Sequence, residues 1–342
     1  MHIHLRWAAA WLLAATAASA SAGPHVRAVD PDQFFIERAV FAQGRLWMLA
    51  DDGRLFSLAP DDKARRTEAL VEPAYDLCVD RGAPVVVTAP RDAPAEFQVR
   101  RFDRHAWRTD ATVAMQDDGF IALSCAGDGV SVLTRHRLID MHGGEQRVHR
   151  LQDEVRVSGG FVSAVHATPD TLFVGTDRGE WGGELIRVDR RTGAVTQLVQ
   201  RSGPFNAIVD DPWRPGCIAV ARGLVHMLPS GELLEVCGDD VSTLYAAHYE
   251  GPAYRSGRLP EVPFFGLAVE AGGLLAVAPG QLHRIDAHQH AAVEKVPAAR
   301  EVDGLRLSFD LPGYVLLYTF VNQRQAASGA TPMLVPRGPG SE

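Results

Sequence analysis

"FVGTDRGEWGGELIRVDRRTGAVTQL", Phe173 to Leu198, is a succession of short apolar runs divided by turn signals. Gly179-Glu180-Trp181-Gly182-Gly183 separates the first pair of runs and Arg191-Thr192-Gly193 the second. Each run is too short for a globular helix, and the bounding Gly, Asp, Asn and Pro residues favour strands. A glycine-rich connection of this kind permits the positive φ values that a tight hairpin needs. The segment therefore reads as strand, turn, strand, turn, strand.

The same pattern recurs along the chain. Copies begin at Phe35, Ala74, Phe120, Phe161, Phe205, Phe264 and Asp303, so seven units follow one another at a spacing of roughly 40 residues. That period belongs to four-stranded propeller blades. Small side chains in the first strand of a copy, as in Ala164-Val165-His166-Ala167 and Gly266-Leu267-Ala268-Val269, suit the crowded innermost strand around a channel. No segment carries a sustained helical stripe. The expected fold is all-β: a seven-bladed β-propeller of four-stranded antiparallel blades over residues 23–336. The last copy has two clear strands and material for one more, so an N-terminal strand at His25–Val29 is expected to close the last blade. A Pro- and Gly-rich tail at 337–342 is expected to be disordered.

Residues 1–22, MHIHLRWAAAWLLAATAASASA, carry one Arg, an apolar run from Trp7 and a small-residue end, the layout of a secretory signal peptide. The apolar run is too short for a comfortable bilayer span, and none like it follows. A periplasmic or secreted protein without a membrane span is expected, and we read it as a monomer. The full chain has 34 Lys and Arg against 42 Asp and Glu. Removal of 1–22 takes one Arg with it, which leaves a net charge of −9. No basic face is available for a phosphate backbone, which argues against a nucleic-acid partner. With 46% apolar residues the chain can build a large core.

Units such as "FVSAVHATPDTLFVGT" followed by "ELIRVDRRTG" resemble the repeats of bacterial sensor propellers of the two-component-regulator type and of other exported seven-bladed propellers. The resemblance implies a ligand-sensing or scaffold domain and carries over no catalytic residue. A weaker similarity is to propellers of the gluconolactonase and paraoxonase type. In that family a Glu, two Asn and an Asp at the starts of innermost strands hold a channel metal. "FIERAVF" resembles the Glu segment at Glu37, "GPFNAI" the Asn segment at Asn206 and "VDGLRL" the Asp segment at Asp303; a second Asn has no counterpart.

Aligning the third residue of each first strand gives Glu37, Asp76, Ala122, Ser163, Asn206, Gly266 and Asp303. Glu37, Asp76, Asn206 and Asp303 are thus candidate ligands for Ca²⁺, which takes 6 to 8 oxygens. Water-filled polar channel mouths produce the same pattern without any metal, and our base expectation is no cofactor. A second candidate site is the insertion at 237–263, with Tyr245, His248, Tyr249, Tyr254 and Arg255. Long loops in compact domains are often functional, and aromatic and Arg residues are common interface anchors. Trp181 either packs on its own blade, caps the channel mouth or offers a platform to a sugar ring. On a strand His288 and His290 would share one side and could bind a metal, but with no third ligand nearby in sequence a solvent-facing turn is the expected reading.

Two functions compete on this reading. One is an exported non-catalytic propeller binding a protein, glycan or small ligand through its loop-rich channel face. The alternative is a channel-metal-dependent hydrolase of lactones or related esters. Of the four Cys, Cys78 and Cys125 fall at matching points of adjacent innermost strands and are expected to join. Cys217 and Cys237 are expected to lie too far apart.

Overall fold

The computed structural model describes residues 34–338 apart from 92–94, 116–117, 127–128, 158, 201–202, 226–228, 251–258 and 320–330. The proposed signal segment and His25–Val29 lie outside the described residues. Seven antiparallel sheets of four strands each are present. Innermost strands Ile36–Ala42, Ala74–Asp80, Phe120–Ala126, Phe161–Ala167, Phe205–Asp210 and Gly266–Glu270 stand side by side around a channel. Thr331–Pro336 packs against the first and last of these and completes a ring of seven blades. The expected seven-bladed β-propeller is the observed fold.

The blades hold together through the layers between them. Both faces of a blade are covered by its neighbours, so the second strands read as continuous apolar runs: Arg45–Ala50 as RLWMLA, Ala83–Thr88 as APVVVT and Gly273–Ala278 as GLLAVA. Alternation survives only where one face meets water. Seven apolar clusters result, each shared by two adjacent blades. Val85, Val87, Phe97, Leu123 and Val132 join blades 2 and 3, and Phe34, Met48, Phe56, Leu307 and Val335 join blades 1 and 7. Outermost strands such as Glu145–Arg150 are almost wholly exposed.

Blade 7 differs from the sequence expectation. All four of its strands come from residues 300–336, in the order Arg300–Val302, Leu305–Ser308, Tyr314–Thr319 and Thr331–Pro336. The chain enters this blade at its outer edge and finishes beside the channel, the reverse of blades 1 to 6. No strand from the N-terminal side is needed to complete the sheet. Arg337, assigned to the tail from sequence, is fastened: its amide donates to Gly313 O at 2.9 Å and its guanidinium to Phe309 O at 2.6 Å.

Both disulfides of the protein are formed and no described Cys is free. Cys78 and Cys125 tie the innermost strands of blades 2 and 3, with Cα atoms 5.7 Å apart, as expected. Cys217 and Cys237 are also joined, 4.5 Å apart, contrary to the expectation. Cys217 opens the second strand of blade 5 and Cys237 closes the third, so the antiparallel register sets them opposite each other.

Candidate functional site

A β-bulge marks the innermost strand in blades 1 to 5. The register skips one residue at Glu37, Tyr75, Ile121, Ser163 and Asn206. A one-residue offset exchanges the two faces of a strand. Asp76 is therefore equivalent to Arg38, not to Glu37, and the aligned set does not form one ring of side chains. Asp303 is farther away still. It sits at φ 47° in the turn between the two outermost strands of blade 7, where its carboxylate accepts from the Arg65 amide at 3.2 Å and its carbonyl from the Arg65 guanidinium at 2.7 Å. Among the described residues no three His, Cys, Asp or Glu side chains are grouped to hold a metal.

The other members of the set fasten blades. Asp76, 4% exposed, accepts from the Leu77 amide at 2.8 Å and from the Leu123 amide of blade 3 at 2.9 Å. Ser163 Oγ donates to Phe205 O of blade 5 at 2.6 Å. Asn206 Nδ2 donates to Gly223 O at 2.8 Å and to Phe264 O, ahead of blade 6, at 2.9 Å. Arg38 spans the channel. Its Nε donates to Asp76 at 3.0 Å, while its terminal nitrogens reach Ser163 O and, at 2.9 Å, Val162 O in blade 4, on the opposite side of the ring. The positive charge beside Asp76 is thus a guanidinium of the chain itself. Burial pushes the Glu37 carboxyl above its ordinary value; Asp51, Asp76 and Asp52 push the same way, against Arg38.

The insertion after blade 5 folds back on itself. Tyr249 N donates to Pro260 O and Val262 N to Ala247 O, each at 2.9 Å, and His248 bridges Glu261. Tyr245 and Tyr249 turn inward: Tyr249 Oη donates to Pro279 O at 3.4 Å, and Tyr245 Oη meets His283 Nδ1 at 3.1 Å. His248 is exposed. Tyr254 and Arg255 lie outside the described residues.

His283 was not singled out from sequence. It is 1% exposed, beside Phe264 with ring centroids 5.2 Å apart, and its Nε2 lies 2.9 Å from Gln281 Oε1. The neutral tautomer with its proton on Nε2 satisfies both contacts, donating to Gln281 and accepting from Tyr245. Burial holds the imidazole down at about 4 from its ordinary 6.5. Between these values the unfolded chain binds the extra proton, so this contribution is complete above pH 6.5 and is lost as pH falls toward 4. The loss of stability between pH 7 and pH 5 is expected to be about 2 kcal/mol smaller in His283→Gln than in the wild type. Denaturant unfolding at the two pH values measures it, and equal losses would contradict the assignment.

Trp181 stands largely in solvent. It is 72% exposed, at the end of a 3₁₀ turn, Gly179–Trp181, within the link between the second and third strands of blade 4. The turn is closely tied. Asp177 accepts from Gly179 N at 2.6 Å, Arg178 N donates to Gly182 O at 2.8 Å, and Gly182 N donates to Gly179 O at 3.1 Å. Burial raises the Asp177 carboxyl, opposed by the Gly179 amide. Gly183 docks the link on its neighbour: a Cβ there would come within 2.3 Å of Thr176 O and 2.5 Å of Gly203 O. An indole left this open forgoes about 3 kcal/mol of burial.

Exposed apolar side chains are concentrated on the same face of the ring. First strands leave this face and second strands return to it, so it carries the links from second to third strand and from outermost strand to next blade. Phe35, Val71, Phe161, Trp181, Val225 and Leu259 all belong there, six of the nine large apolar side chains that the described residues expose. Among the described residues the opposite face carries two-residue turns such as Gln43-Gly44 and Arg81-Gly82 beside longer links at 59–65 and 211–216.

No family model and no curated protein matches the chain. Solved structures match by fold. YCF48 bound to D1 peptide is similar with a TM-score of 0.51 at 12% identity, over 84% of this chain and 89% of that one. The dihydro-heme d1 dehydrogenase NirN in complex with DHE has a TM-score of 0.52 at 12% identity, over 90% and 69%. The extracellular domain of the putative one-component system BT4673 from B. thetaiotaomicron has a TM-score of 0.45 at 12% identity, over 83% of this chain; the chain spans 37% of that protein's length. These likenesses are of fold.

Proposed function

We propose that the protein is an exported, non-catalytic binding module whose ligand sits on the face where the innermost strands begin. The observation that carries this reading is the segregation of exposed apolar side chains onto that face, with Trp181 among them on a closely hydrogen-bonded turn. Apolar side chains gathered on one face and rimmed by polar residues are a feature of docking surfaces. Asp76, by contrast, is already neutralised by Arg38 and satisfied by two backbone amides, which does not favour a channel-metal hydrolase. Pairing of both Cys couples supports an oxidising compartment, and so periplasmic or secreted residence. The ligand is a protein, glycan or small molecule.

Glycan and peptide arrays probed with purified protein test the reading. A retained ligand is expected to lose at least fivefold in affinity in Phe161→Ser or Val225→Ser and to be unaffected by Val148→Ser on the outermost strand of blade 3. No retention on either array, or equal effects of all three substitutions, would overturn it.

A further inference from the structure

We infer that the cleft between blades 4 and 5 on this face is a saccharide subsite, with Trp181 as the platform for one pyranose ring. The inference rests on the binding-module reading and names the ligand class at one place on its surface.

The cleft measures about 560 Å³, within the usual range for ligand sites, and is lined by Arg178, Glu180, Trp181, Gly203, Leu224 and Ser230. Its chemistry is mixed in a particular way. One broad π face stands open, and a guanidinium, a carboxylate and a hydroxyl lie around it. Between them lie glycines at positive φ, Gly179 at 59°, Gly182 at 89° and Gly203 at 116°, which contribute no side chain of their own. A pyranose matches this set, with an apolar C–H face for the indole and hydroxyls at its rim for charged and polar partners.

Arg178 is half-buried beside the platform. The stem of Arg178 lies across Gly160, where a Cβ would come within 2.5 Å of its Cγ, so the blade positions the base of this side chain. The cleft is also open along one side, which suits a ring within a longer glycan chain better than a small molecule that must be enclosed.

The experiment uses the whole mature protein and an array of plant, bacterial and host oligosaccharides, followed by titration of the best-retained oligosaccharide with tryptophan fluorescence as the readout. Wild type is expected to bind with a shift in emission. Trp181→Ala is expected to weaken binding at least tenfold and abolish the shift, and Trp181→Phe to retain part of the affinity. An unchanged melting midpoint in Trp181→Ala separates loss of binding from loss of fold, since the indole is exposed. Retention of no oligosaccharide, or an affinity within twofold of wild type in Trp181→Ala, overturns the inference. If peptides are retained instead and lost in Phe161→Ser, the saccharide assignment fails while the binding-module reading stands; if neither class is retained, both fail.

Discussion

Arg38→Ala is expected to lower the stability of the propeller by about 4 kcal/mol, in the range for removing one partner of a buried ion pair. The reason is what remains behind. Asp76 has a side chain only 5% exposed, and without Arg38 its charge would keep two amide donors but no cation. Val162 O and Ser163 O would lose their donor on the far side of the ring at the same time. Arg38→Lys keeps the charge, but an ammonium is a point donor and cannot serve a carboxylate and two carbonyls in the geometry of the guanidinium fork. An intermediate loss is expected there. Denaturant unfolding measures both variants, and a double-mutant cycle of Arg38→Ala with Asp76→Ala isolates the pair. A loss below about 1 kcal/mol in Arg38→Ala would mean that water replaces these contacts freely, against the burial seen here.

The same residue explains why the fold was legible in the sequence and the channel was not. Blades announce themselves twice: glycines end the strands, and runs such as Val85-Val86-Val87 report sheets covered on both faces. Seven copies at one spacing then fix the count. A β-bulge has no such mark. At Glu37, Tyr75 and Ile121 the inserted residue is neither Gly nor Pro, so counting three residues into each copy mixes the two sides of the strand. Arg38, the residue that crosses the channel, stands one place after the one singled out. A cation beside an acid in an otherwise apolar strand was the available signal.

Blade 7 misled for a different reason. "VDGLRL" has the form of an innermost-strand start, and local sequence does not encode whether a chain enters a sheet at its centre or its rim. Asp303 was carried to the channel by that assumption, whereas the fold puts it beside Arg65 on the periphery. In the insertion Tyr245 and Tyr249 pack inward while His248 is exposed, a division that counting aromatic residues does not reveal, and the exposed indole is Trp181 in a shorter link. Cys237 was displaced similarly, because Asp240–Tyr245 was counted into the insertion when it is the fourth strand of blade 5.

Loss of the Cys78–Cys125 bond is expected to have an effect as large as that of Arg38→Ala, by another route. In the chain-entropy account a cross-link stabilises by restricting the unfolded chain, and the benefit grows with the loop enclosed. Cys78 and Cys125 are 47 residues apart and Cys217 and Cys237 only 20, which corresponds to about 4 and about 3 kcal/mol respectively. Position widens the difference. Cys217 and Cys237 face each other across a hairpin already laddered along its length, while Cys78–Cys125 joins two separate sheets that otherwise meet only through side chains and the Asp76 link to Leu123. Cys78→Ala with Cys125→Ala should therefore cost more than Cys217→Ala with Cys237→Ala. Each double variant should also show a steeper dependence on denaturant, because the freed chain exposes more surface when it unfolds. Urea unfolding of the two variants, with and without reductant, decides the matter. Equal losses, or an unchanged slope in the first variant, would place the contribution in the folded state and reject the entropic account.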